Sequence, residues 1–259
     1  MDMSALLKQN WQHQHPEEYV NRLLEKKDFP GLAEAMAIHP SEYVNRAALS
    51  AISQLDFTEL HPEEVDLLDQ AVKRAIKKPA KVFSTVFVDA ANIIAKIKRP
   101  AGIGELISLL DKDQYLGCDM KVQSAFEVCC GAIGDQGIDV ILTHLLEHND
   151  RTVEKMLVSG LGSIGGERAY DALILGLQRH CEKSWANSLW DCLTIDSYIY
   201  YLNRIGLKPN ALETLKVALD LTSKKYEERM AHLDRPLLGN TPEPALIKKL
   251  EELIQNIQP

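Results

Sequence analysis

Strand signals are missing from this 259-residue sequence. No alternating apolar and polar run of useful length occurs, and neither Asn-Gly nor Asp-Gly, the common two-residue hairpin turns, is present. Aromatics make up only 6%, and Gly and Pro number 14 and 11, which excludes collagen-like and low-complexity chains. The five cysteines (Cys118, Cys129, Cys130, Cys181 and Cys192) are odd in number and form no C-x-x-C pair. Reduced core thiols are therefore expected, not a disulfide frame. Apolar runs fall well short of the roughly 18 residues a membrane span needs, so no membrane association is expected. The opening stretch MDMSALLKQNWQHQHPEE lacks a basic n-region and a long apolar h-region, so it does not read as a signal peptide, and a cytoplasmic location is expected. Basic residues are the minority: 29 Lys and Arg against 37 Asp and Glu give a net charge of −8. Such a chain is a poor general binder of nucleic acid, whose phosphates reward clustered Lys and Arg.

What is present is helical periodicity from end to end. EEYVNRLLEKK, AALSAISQL, EEVDLLDQAVKRAIKK and ALETLKVALDL place apolar residues three and four apart. Pro30, Pro40, Pro62, Pro79, Pro100, Pro209 and Pro242 stand where a first helical turn tolerates a missing N–H. The pattern predicts an all-α chain of short helices.

Two families of internal repeat organise it. In the N-terminal part, HPEEYVNR at 15–22 returns as HPSEYVNR at 39–46 and as HPEEV at 61–65. Glu in the first turn favours the positive end of each helix. Tyr19 with Leu23, and Tyr43 with Ala47, lie one turn apart and are expected to pack equivalent faces. Farther along, CGAIG at 130–134 recurs as LGSIG at 161–165, with weaker copies IAKIK at 94–98 and LNRIG at 202–206. Gly131 and Gly162 are expected where helices approach closely. Gly134, Gly165 and Gly206 suit the left-handed residue that ends a helix, with Ile133, Ile164 and Ile205 sealing the turns.

The segment AFEVCCGAIGDQGIDVILTHLLEHNDRTVEKMLVSGLGSIGGERAYDALILGL resembles the short HEAT-like repeats also found in phycobilin-lyase-type proteins. Cys130 replaces the pattern's Leu and Lys98 its Gly. The resemblance is good over about 119–180 and thinner over 92–118 and 181–222, and it implies an α-α superhelix; with the repeat spacing and the helical periodicity, a single solenoid domain over 1–259 is expected. It would comprise divergent helical repeats over 1–91, HEAT-like repeats over 92–222 and capping helices over 223–259. It also implies that the second helix of each pair lines a partner-binding face.

Chemistry finds little support. His144 and His148 stand four apart on one helix, but Glu147 is out of register for a zincin and no third ligand is near, so no metal is expected. GIGEL at 102–106 and GLGSIGG at 160–166 carry spaced glycines, but neither follows a strand, which nucleotide binding requires. No G-x-S-x-G elbow and no phosphate-cradling G-x-x-x-x-G-K-[ST] occurs. No cofactor and no catalytic residue are expected.

Binding is the better reading, because charge and aromatics are unevenly spread. Residues 1–72 carry −8, 73–99 carry +7, and 100–200 carry −8. The acidic middle suits a basic protein partner. One version is a bacterial inhibitor or immunity protein masking a basic toxin or effector. The alternative is a nucleic-acid-handling or lyase-like enzyme using the basic belt from Lys73 to Arg99. Candidate partner contacts are Val140, His144 and Glu147 on one second helix, and Asp171 and Leu175 on the next. The aromatic stretch adds Trp185, Trp190, Asp191, Asp196, Tyr198 and Tyr201, where the repeat lengthens and an inserted contact segment is expected.

Overall fold

The computed structural model describes residues 11–12, 14–77, 84–112, 116–183, 188–231 and 242–257, with the backbone alone at 188–190 and 229. Among them all regular structure is helical, as the periodicity predicts, and no helix is long and apolar enough to cross a membrane. They fall into two compact units, Met1–Ile133 and Gly134–Pro259.

The first unit holds α1 (Pro16–Glu25), α2 (Phe29–Ala37), α3 (Glu42–Ser53), α4 (Pro62–Lys77), α5 (Ser84–Ile97), α6 (Ala101–Lys112) and α7 (Met120–Ile133). Odd-numbered helices stack in succession as one layer, and α2, α4 and α6 form the other. Leu32, Ile52, Leu68, Phe87, Ile103 and Phe126 are fully buried in its core. The second unit holds α8 (Ile138–Glu147), α9 (Arg151–Ile164), α10 (Gly166–Glu182), α11 (Ser188–Ile205), α12 (Leu212–Ala231) and α13 (Pro242–Ile257). Here α9, α11 and α13 form one layer and α8, α10 and α12 the other. Each unit is thus a helical-repeat stack, in which an amphipathic helix buries its stripe only against its neighbours. The C-terminal helix buries Leu246, Leu250 and Ile254. The expected boundaries at 91/92 and 222/223 fall inside α5 and α12.

Local chemistry fixes the helix ends. The Asp28 carboxylate accepts from Gly31 N at 2.9 Å, and Asp150 accepts from Thr152 N and Val153 N at 2.8 and 3.0 Å. Left-handed residues end the helices at Gly134 (φ 67°), Gly165 (φ 70°) and Gly206 (φ 112°), as the repeat predicts. Lys98 takes φ 50° at the corresponding place, so replacing the glycine leaves the turn intact. Ile133 is buried at its turn, while Ile164 and Ile205 are half-buried.

Three expectations need correction. Gly131 is exposed, not at a close helix approach. The repeated HPxEYVNR helices bury Val20 and Val44, one position past the tyrosines; Tyr19 is half-buried and Tyr43 is 61% exposed. The two Val residues occupy the inward stripe because the helices turn about 100° per residue. Of the cysteines, Cys129, Cys130 and Cys192 are buried, but Cys181 is half-buried and Cys118 is exposed.

Candidate functional site

The layer of α8, α10 and α12 in the second unit carries the expected contact face. Ile138, Ile141 and Leu145 of α8, and Ala169, Leu173 and Leu177 of α10, are buried inward, as their spacing predicts. Leu142 is only half-buried. On the other side of the same helices Glu147 and Asp171 are exposed, Val140 and His144 are half-buried, and Leu175 is 42% exposed. The neighbouring α12 extends the face with Val217, 54% exposed, and exposed Glu213 and Asp220. Gln178 Nε2 donates to Thr214 Oγ1 at 3.0 Å and ties α10 to α12 there.

Cations near this face are engaged within the fold. Arg179 Nε and Lys183 Nζ donate to the α8 C-terminal carbonyls of Leu146 and His148 at 3.5 and 2.8 Å. Positive groups at a helix C-terminus are favoured by its dipole. Lys216 pairs with Glu213 at 2.8 Å. Leu175 and Val217 are exposed apolar residues of helices that also expose Asp171, Glu213 and Asp220. The sequence pattern does not single out Val217, because the repeat lengthens before α12 and the 31-residue period no longer fixes its register; the spacing of Val217 from Glu213 and Asp220 is the available signal.

The aromatic segment is mostly core. Asp191 and Tyr198 are fully buried and Tyr201 is 7% exposed, which corrects their assignment to a contact surface. The physical reason is that α11 is a central helix of its layer, with α9 on one side and α13 on the other. Tyr201 packs on Gly162 of α9, and Tyr198 packs on Gly176 of α10, where an added Cβ would meet its hydroxyl at 2.8 Å. Asp196 is tied to α13 by Lys249 Nζ at 2.5 Å. Trp185 and the side chain of Trp190 lie outside the described residues. Leu193 and Tyr200 are exposed apolar or aromatic residues of α11, at 37% and 54%.

Beneath these rings lies a buried polar network joining three helices. Glu154 Oε1 of α9 is 2.9 Å from His180 Nδ1 of α10 and accepts from the Tyr198 hydroxyl of α11 at 3.0 Å. Lys183 Nζ reaches Glu154 Oε2 at 3.3 Å, and Arg151 Nε pairs with Asp191 Oδ1. Burial pulls the Glu154 carboxyl upward, but hydrogen bonds from His180 and Tyr198 and the Lys183 ammonium outweigh it and hold the group below its ordinary range. Burial and then the Glu154 charge push the Tyr198 phenol well up. Two carboxylates matched by two cations, with every partner on a different turn or helix, stabilise the packing of α9, α10 and α11.

Three cations of the basic belt are engaged within the first unit, while Arg74, Lys77 and Lys98 are exposed. Arg99 forks onto Glu105 at 2.8 and 2.7 Å and reaches Asp69 at 2.5 Å. Lys73 pairs with Asp69 at 2.8 Å, and Lys96 Nζ donates to the carbonyls of Ser53 and Leu55 at 2.6 and 2.8 Å. Lys78 and Lys81 lie outside the described residues. His144 and His148 rings are 5.8 Å apart, and no group of three or more metal-ligating side chains occurs among the described residues. Burial pushes the Cys129 and Cys181 thiols up to about 12, away from nucleophilic thiolates.

No family model and no curated protein matches the chain. Among solved structures it is similar to an engineered protein from a structural genomics consortium, at 16% identity and TM-score 0.45 over 88% of this chain and 97% of that one. It is also similar to a designed armadillo repeat protein, at 18% identity and TM-score 0.37 over 89% and 100%.

Proposed function

We propose that the protein is a non-catalytic binding module whose α8–α10–α12 face docks a basic protein partner. The observation that carries this reading is the exposure of Leu175 and Val217 on a layer of helices that also exposes Glu147, Asp171 and Asp220. An apolar centre with an acidic rim fits a partner surface of opposite sign, because the centre supplies burial energy and the rim steers encounter. An inhibitor masking a basic effector is one specific form of this role, since steering raises the association rate such an inhibitor needs. The resemblance to HEAT-like repeats supports the same layer as the docking layer.

The test is capture with the immobilised protein from its native host, followed by mass spectrometry, with an Asp171→Lys, Leu175→Lys chain as the control bait. A basic protein retained by the wild type, lost from the control and released by salt is the expected result. Equal retention by both baits would remove this face from the proposal.

A further inference from the structure

The first unit carries a separate recognition feature on its other layer, the one built from α1, α3, α5 and α7. A trough of about 800 Å³ runs across these helices, lined by Tyr43, Arg46 and Ser50 of α3, Val88 and Asp89 of α5, and Lys121 of α7, among others. A second hollow of about 420 Å³ between α5 and α7 shares Val88 and Lys121 with it and continues past Met120 and Val128. Met120 and Val128 are 84% and 59% exposed, so the channel keeps apolar rims along its length.

Asp89 is the unusual group in its wall. Its side chain is half-buried, and Ser53 Oγ donates to Oδ1 at 3.0 Å. No cation pairs with it among the described residues, although Lys96 on the same helix is close enough to the chain to bond the carbonyl of Ser53. Burial pushes its carboxyl above the ordinary value, and only the Ser53 hydrogen bond opposes that. A partly buried carboxylate with one neutral donor gains by meeting a cation, which restores what desolvation removed. The other acids behave differently. Asp119 is held down by the Ser84 hydroxyl and the Lys121 backbone N–H, and Glu17 is exposed.

We infer that this trough binds an extended segment of a partner protein, seating a lysine or arginine side chain against Asp89 with its aliphatic stem along Tyr43 and Val88. The Asp89 carboxylate, met only by the Ser53 hydroxyl, supports a cationic side chain at that point of the wall, with Arg46 and Lys121 elsewhere in the lining. The continuation into the second hollow supports a peptide over a free amine, since an extended chain of several residues can reach along two adjoining hollows and a small amine fills only one. The inference does not rest on the docking face of the second unit.

The experiment uses the full chain labelled with ¹⁵N and three pentapeptides, acetyl-Ala-Val-X-Val-Ala-amide, with X as lysine, norleucine or glutamate; butylamine is the fourth probe. The lysine peptide is expected to shift the amides of Val88 and Asp89 saturably and to bind about five-fold or more tighter than norleucine, the span of an incompletely buried ion pair. Asp89→Asn, which keeps an acceptor for Ser53, should erase that difference. Ser50→Lys, at an exposed position, should weaken the lysine peptide by competing for Asp89. Leu175→Lys should change nothing here, which separates this inference from the docking face. Equal binding of norleucine, preference for glutamate, butylamine as good as the peptide, or no saturable shift at all would each overturn it.

Discussion

The ring of Tyr201 on α11 lies against the backbone of Gly162 on α9, so closely that a Cβ at 162 would overlap its Cδ1, Cγ and Cε1 atoms. The fit is closer than those at Gly31, Gly102 and Gly176. It sets the distance between two helices whose buried polar groups must also meet.

Gly162→Ala should therefore destabilise the protein by about 2–3 kcal/mol, the usual cost of overpacking a filled core. Denaturant unfolding measures it. Tyr201→Ala alone should cost about 3–5 kcal/mol through the cavity it leaves. The double variant should cost clearly less than the two single costs added, because the clash needs both partners.

A second expectation concerns acid. Glu154 has its folded carboxyl below the ordinary value of 4.5, so its contribution to stability is complete above that value and is lost as pH falls through the lower folded one. Wild-type stability should fall on acidification below about pH 5, and Glu154→Gln should flatten that limb while being less stable at neutral pH. Tyr198→Phe, which removes one neutral donor to the same oxygen, should cost about 1–2 kcal/mol at neutral pH. Urea midpoints from pH 3 to 7 test both; an unchanged acid limb in Glu154→Gln would remove the network from the acid response.

The helix-ending turns supply a third. Lys98 holds φ 50°, a region costing a side-chain-bearing residue about 1–2 kcal/mol. Lys98→Gly should stabilise by about 0.5–1 kcal/mol after the added flexibility of the unfolded chain is counted. Gly165→Ala and Gly206→Ala should destabilise, by contrast, since each has a positive φ already suited to glycine. Thermal melts of the three variants decide it.

Much of the architecture could be read from the residues because helix periodicity and left-handed turn glycines are local signals. The inward stripe Ile138, Ile141 and Leu145, the turns at Gly134, Gly165 and Gly206, and the last helix all follow from spacing alone. The aromatic segment is not legible in this way, because burial there depends on which helices flank α11, a tertiary fact. Tyr198 and Tyr201 are inward only because Gly176 and Gly162 make room for them from other helices. Tyr43 departs from expectation for a local reason: a one-residue difference, about 100° around the helix, moves the buried position to Val44. Asp89 gave no local signal, since its setting depends on Ser53 from a helix 36 residues away.

Arg99 offers a fourth test, one that separates structure from nucleic-acid contact. Its guanidinium is 14% exposed and bridges Asp69 of α4 and Glu105 of α6. Arg99→Gln would leave both carboxylates short of their shared cation, at a cost of about 2–4 kcal/mol. The expected result is a lower melting temperature and no change in salt-dependent retention on a DNA column. Lost retention with unchanged stability would return the belt to the surface.

The last prediction bears on the docking face. Leu175 and Val140 were expected together as apolar residues outside the core, but Leu175 is 42% exposed whereas Val140 is half-buried. A charge at an exposed position finds water at once, so Leu175→Lys should change stability by no more than about 0.5 kcal/mol. Val140→Lys must move a long stem off a partly covered site and should cost about 1 kcal/mol or more. Both place a cation on an acidic face meant for a basic partner, so both should weaken capture through repulsion. Stability and capture therefore diverge for Leu175→Lys: a folded, equally stable chain that no longer holds its partner. A chain that melts early would show that Leu175 serves packing, and a stable chain with full capture would show that the partner sits elsewhere.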